Sequence, residues 1–107
     1  MIKVTILVPT NYNDGRTVGQ YYFDALDLWF ASHFEGFAKQ NGLFGCYNMS
    51  DGNLAKDSLI SYSVVCDPSE LYNLNRIAAK IATGLGQECI YLEWHDVNME
   101  LVKPIQE

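Results

Sequence analysis

Ile2-Lys3-Val4-Thr5-Ile6-Leu7-Val8, residues 2–8, is the stretch that decides the fold. Its even-numbered positions are all branched apolar residues, and Lys3 and Thr5 stand between them. Because successive side chains of a strand point to opposite faces, this alternation predicts a β-strand with one apolar face and one partly polar face. The segment Cys89-Ile90-Tyr91-Leu92-Glu93-Trp94-His95 alternates in the same way and predicts a second such strand. We expect the odd-numbered side chains of both strands to lie on one face of a shared sheet.

Two helices are predicted between these strands. The first is expected to run from Val18 to Gln40, with Thr17 and Gln20 forming a capping box at its start. The second is expected to begin after Asp67, whose carboxylate can cap it, and to end near Gly84.

The first helix has an unusually wide apolar surface. One ladder at helical spacing consists of Tyr22, Leu26, Trp29, His33 and Phe37, and the opposite stripe consists of Gln20, Asp24, Asp27, Ala31 and Glu35. A helix that packs on one sheet needs an apolar arc of ~100°. The extra width predicts a contact with a second subunit, hence a homodimer, although deeper burial within the same domain remains an alternative.

The order of elements predicts the fold class. Further strands are expected at residues 43–49 and 59–66, with a turn at 50–53 between them, and the last long strand at 87–94. The order β-α-β-β-α-β is typical of the α+β ferredoxin-like fold, an antiparallel sheet with both helices on one face. The first and third strands should then be central, with the fourth beside the first. Residues 97–102 are a possible extra C-terminal strand.

Composition limits the class of partner. The chain has 107 residues, of which 49% are hydrophobic, so we expect one globular domain over residues 1–107. The net charge is −6 and the seven Lys and Arg residues are scattered, so no nucleic-acid partner is expected. No run approaches the roughly 20 apolar residues that span a bilayer, and no targeting signal is found. We expect a cytoplasmic protein with no membrane partner.

The cysteines and histidines do not predict a metal site. Cys46, Cys66 and Cys89 are odd in number and lack C-x-x-C spacing, so we expect free, buried thiols in strands. Neither histidine has a helical i, i+4 partner suited to a metal. No cofactor is predicted.

Candidate site residues lie mainly on the face that the helices leave open. Glu93 and His95 are two positions apart, so the carboxylate can orient the imidazole as a general base. His33 is a second candidate base, or a histidine bonded within the core or at the dimer contact. Exposed polar residues on an edge strand give the same pattern without any function. The predicted ligand-binding residues are Lys3, Thr5, Tyr12, Ser61, Ser63 and Tyr91.

Part of the chain resembles a known superfamily. The opening Met1–Pro9, followed by Asp14-Gly15 and Tyr21-Tyr22, is similar to the start of EthD-like members of the dimeric α+β barrel superfamily. His33 lies later than the histidine expected in those members. Residues 86–93 look more like other small ferredoxin-like proteins. The resemblance implies two sheets that face each other around a cavity, in a group that includes cofactor-free oxygenases, isomerases and haem-binding proteins.

The sequence predicts a homodimeric ferredoxin-like protein that binds a small apolar or aromatic molecule on its open sheet face. One alternative is a cofactor-free oxygenase or isomerase with His95 or His33 as base. A second alternative is a protein-protein interaction module. The identity of the ligand does not follow from these residues.

Overall fold

The computed structural model describes residues 1–106, which form four strands, two α-helices and one 3₁₀ turn. The strands are β1 (Ile2–Pro9), β2 (Ala38–Asn48), β3 (Leu54–Cys66) and β4 (Tyr91–Asp96). The helices are α1 (Gln20–His33) and α2 (Leu71–Gly84), with the 3₁₀ turn at Pro68–Glu70. Within this part of the chain neither helix is long and apolar enough to cross a membrane.

All four strands belong to one antiparallel sheet in the order β2-β3-β1-β4. Strand β1 pairs with β3 from Ile2 opposite Cys66 to Pro9 opposite Leu59. Its other edge pairs with β4. The predicted ferredoxin-like arrangement, with the first and third strands in the centre, is confirmed.

Both helices cover the same face of the sheet. The even-numbered side chains of β1 are buried under them, from Ile2 at 4% exposed to Val8 at 0%. Each helix contributes buried side chains to the core on this face. They are Phe23, Leu26 and Phe30 from α1 and Leu74, Ala78 and Ile81 from α2. The face of β1 that the alternation predicts to be apolar is therefore the face that the helices bury.

A polar contact is built into this core. Tyr62 is 1% exposed, and its ring stacks on that of Phe30 with centroids 4.8 Å apart. Its hydroxyl donates to Asp27 Oδ1 over 2.7 Å, and Lys39 Nζ donates to Asp27 Oδ2 over 3.0 Å. The sequence places Asp27 on the stripe of α1 opposite the apolar ladder. In the structure its carboxylate accepts hydrogen bonds from β2 and β3.

The predicted first helix is too long. It ends at His33, and Phe34 is already extended with φ −132° and ψ 151°. The chain instead enters β2 at Ala38, because residues 38–40 pair with Ser61–Ser63 of β3. The predicted capping box also does not form: the N-cap is Gly19, and within residues 1–106 no side chain accepts a hydrogen bond from the first turn of α1.

Asp67 is a capping residue as predicted, but it caps a 3₁₀ turn that precedes α2. The Asp67 carboxylate accepts the Ser69 N–H over 2.9 Å. It caps the 3₁₀ turn that leads into α2, and the bonds from this backbone N–H and from the Ser69 side chain lower the pKa of Asp67.

The last strand is shifted and the extra strand is not formed. Strand β4 starts at Tyr91, which lies opposite Leu7 of β1, and ends at Asp96, which lies opposite Ile2. No strand is present in residues 97–106. The cysteine prediction holds only for Cys66, which is buried in β3. Cys46 is exposed, and Cys89 is exposed and precedes β4.

The β2–β3 hairpin extends beyond the helical core. Leu59 is the last residue of β3 that is opposite β1, so residues 54–58 have only β2 beside them. Within β2 the register shifts between Gln40 and Leu43, where β2 has one residue more than β3. Gly42 takes φ +78° at this bulge, a conformation that glycine adopts readily.

Candidate functional site: a cavity on the open sheet face

The pairing register brings the predicted polar residues of β1 and β4 to one face. Lys3 lies opposite His95, Thr5 opposite Glu93, and Leu7 opposite Tyr91. Glu93 and His95 are both exposed. The expected convergence of the odd-numbered side chains is therefore present in the sheet.

The hydroxyls in the middle of this face bond to each other. Thr5 Oγ1 and Ser63 Oγ are 2.9 Å apart, and either can be the donor. Ser61 is 8% exposed. These groups are largely occupied or covered, which leaves less of their hydrogen-bonding capacity for a ligand.

A cavity of about 110 Å³ lies at one end of the open face, where the hairpin extends beyond β1. Its walls come from odd-numbered residues of β1 and of the β2–β3 hairpin, and from the segment that leads into β4. The lining residues are Leu7, Pro9, Tyr47, Met49, Ala55, Asp57, Leu59, Gln87, Glu88, Cys89, Ile90 and Tyr91. The volume is below the roughly 300–1,000 Å³ of typical small-molecule sites, so the cavity has room for a ring or a short chain and not for a whole ligand of that size.

The lining combines aromatic and apolar walls with two carboxylates. Tyr47 is half-buried and Tyr91 is 47% exposed. Burial, and then the nearby Asp57 carboxylate, raises the pKa of Tyr47. Asp57 and Glu88 line the cavity together with no lysine, arginine or histidine. A site with this charge attracts cations and repels anions.

Gly45 leaves room for two of the walls to meet. A Cβ atom at this position would lie 2.8 Å from Leu59 Cδ1 and 3.1 Å from the Tyr47 ring. Because β2 has no side chain there, the Tyr47 ring and Leu59 can lie against its backbone.

Most predicted site residues lie outside this cavity. Tyr91 lines it, whereas His95 is four residues further along β4, a distance of roughly 13 Å. The sequence did not predict Asp57 and Glu88 as site residues. The alternation of residues 43–49 does not decide whether Tyr47 and Met49 or Cys46 and Asn48 lie on the open face. In the structure Tyr47 and Met49 line the cavity there.

His33 lies on the other side of the sheet. Its Nδ1 is 2.8 Å from the Trp29 carbonyl oxygen, and its ring stacks on Trp29 with centroids 4.2 Å apart. It lines an open groove of about 230 Å³ between the helices, with Trp29, Asn73, Arg76, Ile77 and Lys80. The three candidate catalytic residues His33, Glu93 and His95 are therefore not brought into one site.

Tyr12 is part of a fixed loop. The Arg16 guanidinium lies 4.8 Å from the Tyr12 ring centroid. Asn13 N–H donates to the Leu85 carbonyl, and Gln87 Nε2 donates to the Asn11 carbonyl. These bonds tie the loop to the end of α2, and Tyr12 does not line the cavity. Across residues 1–106 no group of three or more His, Cys, Asp or Glu side chains is placed to hold a metal ion.

Comparison with known proteins shows the fold and no family. No family model matches the chain, and no curated protein matches it in sequence. Its structure is similar to that of a phage SAM lyase in complex with S-methyl-5′-thioadenosine, with a TM-score of 0.63 and 14% sequence identity. The match covers 89% of this chain and 80% of the lyase chain. The similarity supports the ferredoxin-like fold, and the EthD-like resemblance stays a prediction.

Proposed function

We propose that this chain binds a small molecule whose flat aromatic or apolar group enters the open-face cavity and whose positively charged group lies against Asp57 and Glu88. The composition of the lining carries this proposal: two tyrosines and several apolar side chains surround a space with two carboxylates and no basic residue. An aromatic wall and a carboxylate both favour a cation over an anion.

The fold neighbour suggests a ligand class that fits these walls. S-methyl-5′-thioadenosine, the molecule in the phage SAM lyase complex, joins an aromatic base to an apolar thioether. S-adenosylmethionine has the same adenosine with a positively charged sulfonium. We propose that molecules of this class bind here, with the ring or thioether inside the cavity and the rest along the open face.

Calorimetric titration of the full chain tests this proposal with three adenosine compounds of different charge. We expect S-adenosylmethionine to bind more tightly than neutral S-methyl-5′-thioadenosine, and adenosine 5′-monophosphate to bind weakest. No measurable binding of any of the three would leave the proposed ligand class without support. Tighter binding of the monophosphate would contradict the assignment of Asp57 and Glu88.

A matched pair of variants locates the site. Asp57→Asn keeps the size of the side chain and removes its charge, so we expect about tenfold weaker binding of S-adenosylmethionine, or about 1.4 kcal/mol. Binding of S-methyl-5′-thioadenosine should change much less. Asp24→Asn removes one charge on the exposed side of α1 and should leave both affinities unchanged. Equal effects of the two variants would show only a response to net charge.

The predicted polar end is tested separately. His95→Ala should weaken binding if the ligand extends along β4 from Tyr91 to His95. An unchanged affinity would restrict the ligand to the cavity and its mouth. Catalysis is not part of the proposed function, because His33, Glu93 and His95 do not line the cavity.

A further inference from the structure

Residues 97–106 form an extended arm that leaves the body of the protein. Val97 N–H donates to the Met1 carbonyl over 3.2 Å. Beyond it, within residues 1–106, no backbone hydrogen bond joins residues 98–106 to the body. Four large apolar side chains of this arm are exposed: Met99 at 51%, Leu101 at 79%, Val102 at 82% and Ile105 at 91%.

The arm and the β2–β3 hairpin project from opposite ends of the sheet. The arm starts where Asp96 lies opposite Ile2, and the hairpin continues beyond Pro9. The protein is 59 Å long and only 26 Å by 22 Å across. Strand β3, with 13 residues, spans only about 43 Å of that length.

The hairpin offers an unpaired strand edge. Strand β2 is at the edge of the sheet, so its residues 43–48 pair with β3 on one side only. Phe44 is 67% exposed on this stretch and Leu54, opposite Asn48, is 54% exposed. A free edge with exposed apolar side chains beside it is a template for strand addition.

We propose that the arm of one copy adds as a strand to the outer edge of β2 in a second copy, and that the exchange is reciprocal. In an extended arm Met99, Leu101 and Ile105 share one face, which would lie beside Phe44. Pro104 has no N–H and limits the pairing at its end. Because the arm and the hairpin are at opposite ends of the sheet, a two-fold axis can place each arm beside β2 of the other copy at the same time.

The area involved is large enough for a stable dimer. A ten-residue unfolded segment has a mass of about 1.15 kDa and exposes roughly 1,700 Å². Covering half of each arm removes roughly 1,700 Å² in the pair, before the receiving surfaces are counted. Specific interfaces bury about 1,600 Å² in total. The arm therefore gives the homodimer predicted from the sequence a contact that does not depend on the cavity or its ligand.

Sedimentation velocity over a range of concentrations is the first test. We expect the full chain to be a dimer and Leu101→Asp to raise its dissociation constant at least about tenfold. Leu28→Asp, at a side chain 68% exposed on α1, should leave the dimer unchanged. A full chain that stays monomeric, or a dimer that Leu28→Asp weakens and Leu101→Asp does not, overturns the proposal.

Cross-linking between copies is the second test. In a Cys89→Ser background, Cys46 on β2 is the exposed thiol, since Cys66 is buried. Within one chain Cys46 lies far from the start of the arm. Cys46 is opposite Lys56, and Lys56 is ten residues along β3, or roughly 33 Å, from Cys66 at the end of the sheet where the arm begins. A short thiol–amine linker should join Cys46 to Lys103 in mixed light and heavy isotope pairs. Products that form only within one chain would show that the arm folds back on its own body.

Discussion

Replacing Tyr62 with phenylalanine removes one hydroxyl from the core and leaves the aromatic stacking in place. The lost bond, from the Tyr62 hydroxyl to the Asp27 carboxylate, is 2.7 Å long and has a charged acceptor. Hydrogen bonds to charged groups contribute about 1.5–3 kcal/mol. The Asp27 side chain is 34% exposed, so water replaces part of the bond. We therefore expect Tyr62→Phe to lower the free energy of unfolding by about 1–2 kcal/mol.

Urea unfolding at neutral pH measures this change, and thermal unfolding should show a Tm lower by roughly 5–10 °C. Tyr72→Phe is the control, because Tyr72 is 67% exposed and the same substitution there should change stability by less than about 0.5 kcal/mol. If Tyr62→Phe is no less stable than Tyr72→Phe, the contact between Tyr62 and Asp27 does not support the core as we infer.

The same pair makes a prediction about alkaline pH. Burial, followed by the bond to Asp27, raises the pKa of Tyr62 well above its usual range. Because the folded pKa lies above the unfolded value of about 10, this stabilisation is fully present below pH 10 and is lost as the pH rises. The limiting slope is about 1.4 kcal/mol per pH unit for one group. Tyr62→Phe should therefore show a shallower loss of stability above pH 10 than the unchanged chain.

Three further substitutions test the core, a turn and the cavity. Leu74→Ala, at a fully buried position of α2, should lower the unfolding free energy by about 2–5 kcal/mol in urea, whereas Leu28→Ala on the exposed side of α1 should have little effect. Gly86→Ala forces a side chain onto φ +64° and should lower stability by about 1–2 kcal/mol, and Gly36→Ala, without a positive φ, is its control; equal stabilities would contradict the strain argument. Gly45→Ala should displace Leu59 or the Tyr47 ring and weaken binding of S-methyl-5′-thioadenosine in calorimetry, and an unchanged affinity would show that these walls do not touch the ligand.

The central strands were predictable because two independent patterns agree on them. The alternation of β1 and the alternation of Ile60, Tyr62 and Val64 in β3 both have a period of two. Pairing shifted by one residue would turn the polar side chains of one strand toward the helices. The topology and the buried face therefore follow from local residues.

The end of α1 was not predictable in this way. Phe34 and Phe37 continue the helical spacing of apolar residues, and both pack against the core. They do so from an extended segment, because β2 must already run antiparallel to β3 at Ala38. The spacing of these apolar residues is compatible with a helix and with an extended segment. The pairing of β2 with β3 determines that the segment is extended.

The cavity could not be predicted from the sequence because of the bulge in β2. Before the bulge Ala38 and Gln40 share the open face, and after it Leu43 and Tyr47 do, because one extra residue reverses the alternation. Without the position of this bulge, the face of Tyr47 stays ambiguous. The reach of the hairpin past β1, which creates the cavity, is likewise a property of strand pairing and not of any short motif.

The part of the β2–β3 hairpin that extends beyond β1 is separate from the hydrophobic core. Strand β1 and both helices hold the hydrophobic interior, while Tyr47, Met49, Ala55 and Asp57 belong to a stretch that only two strands share. If the chain binds a ligand as proposed, substitutions in this stretch would change ligand recognition without disturbing the residues of the hydrophobic core. Under the proposed function, the ligand of such a scaffold would change through the one hairpin that projects from its sheet.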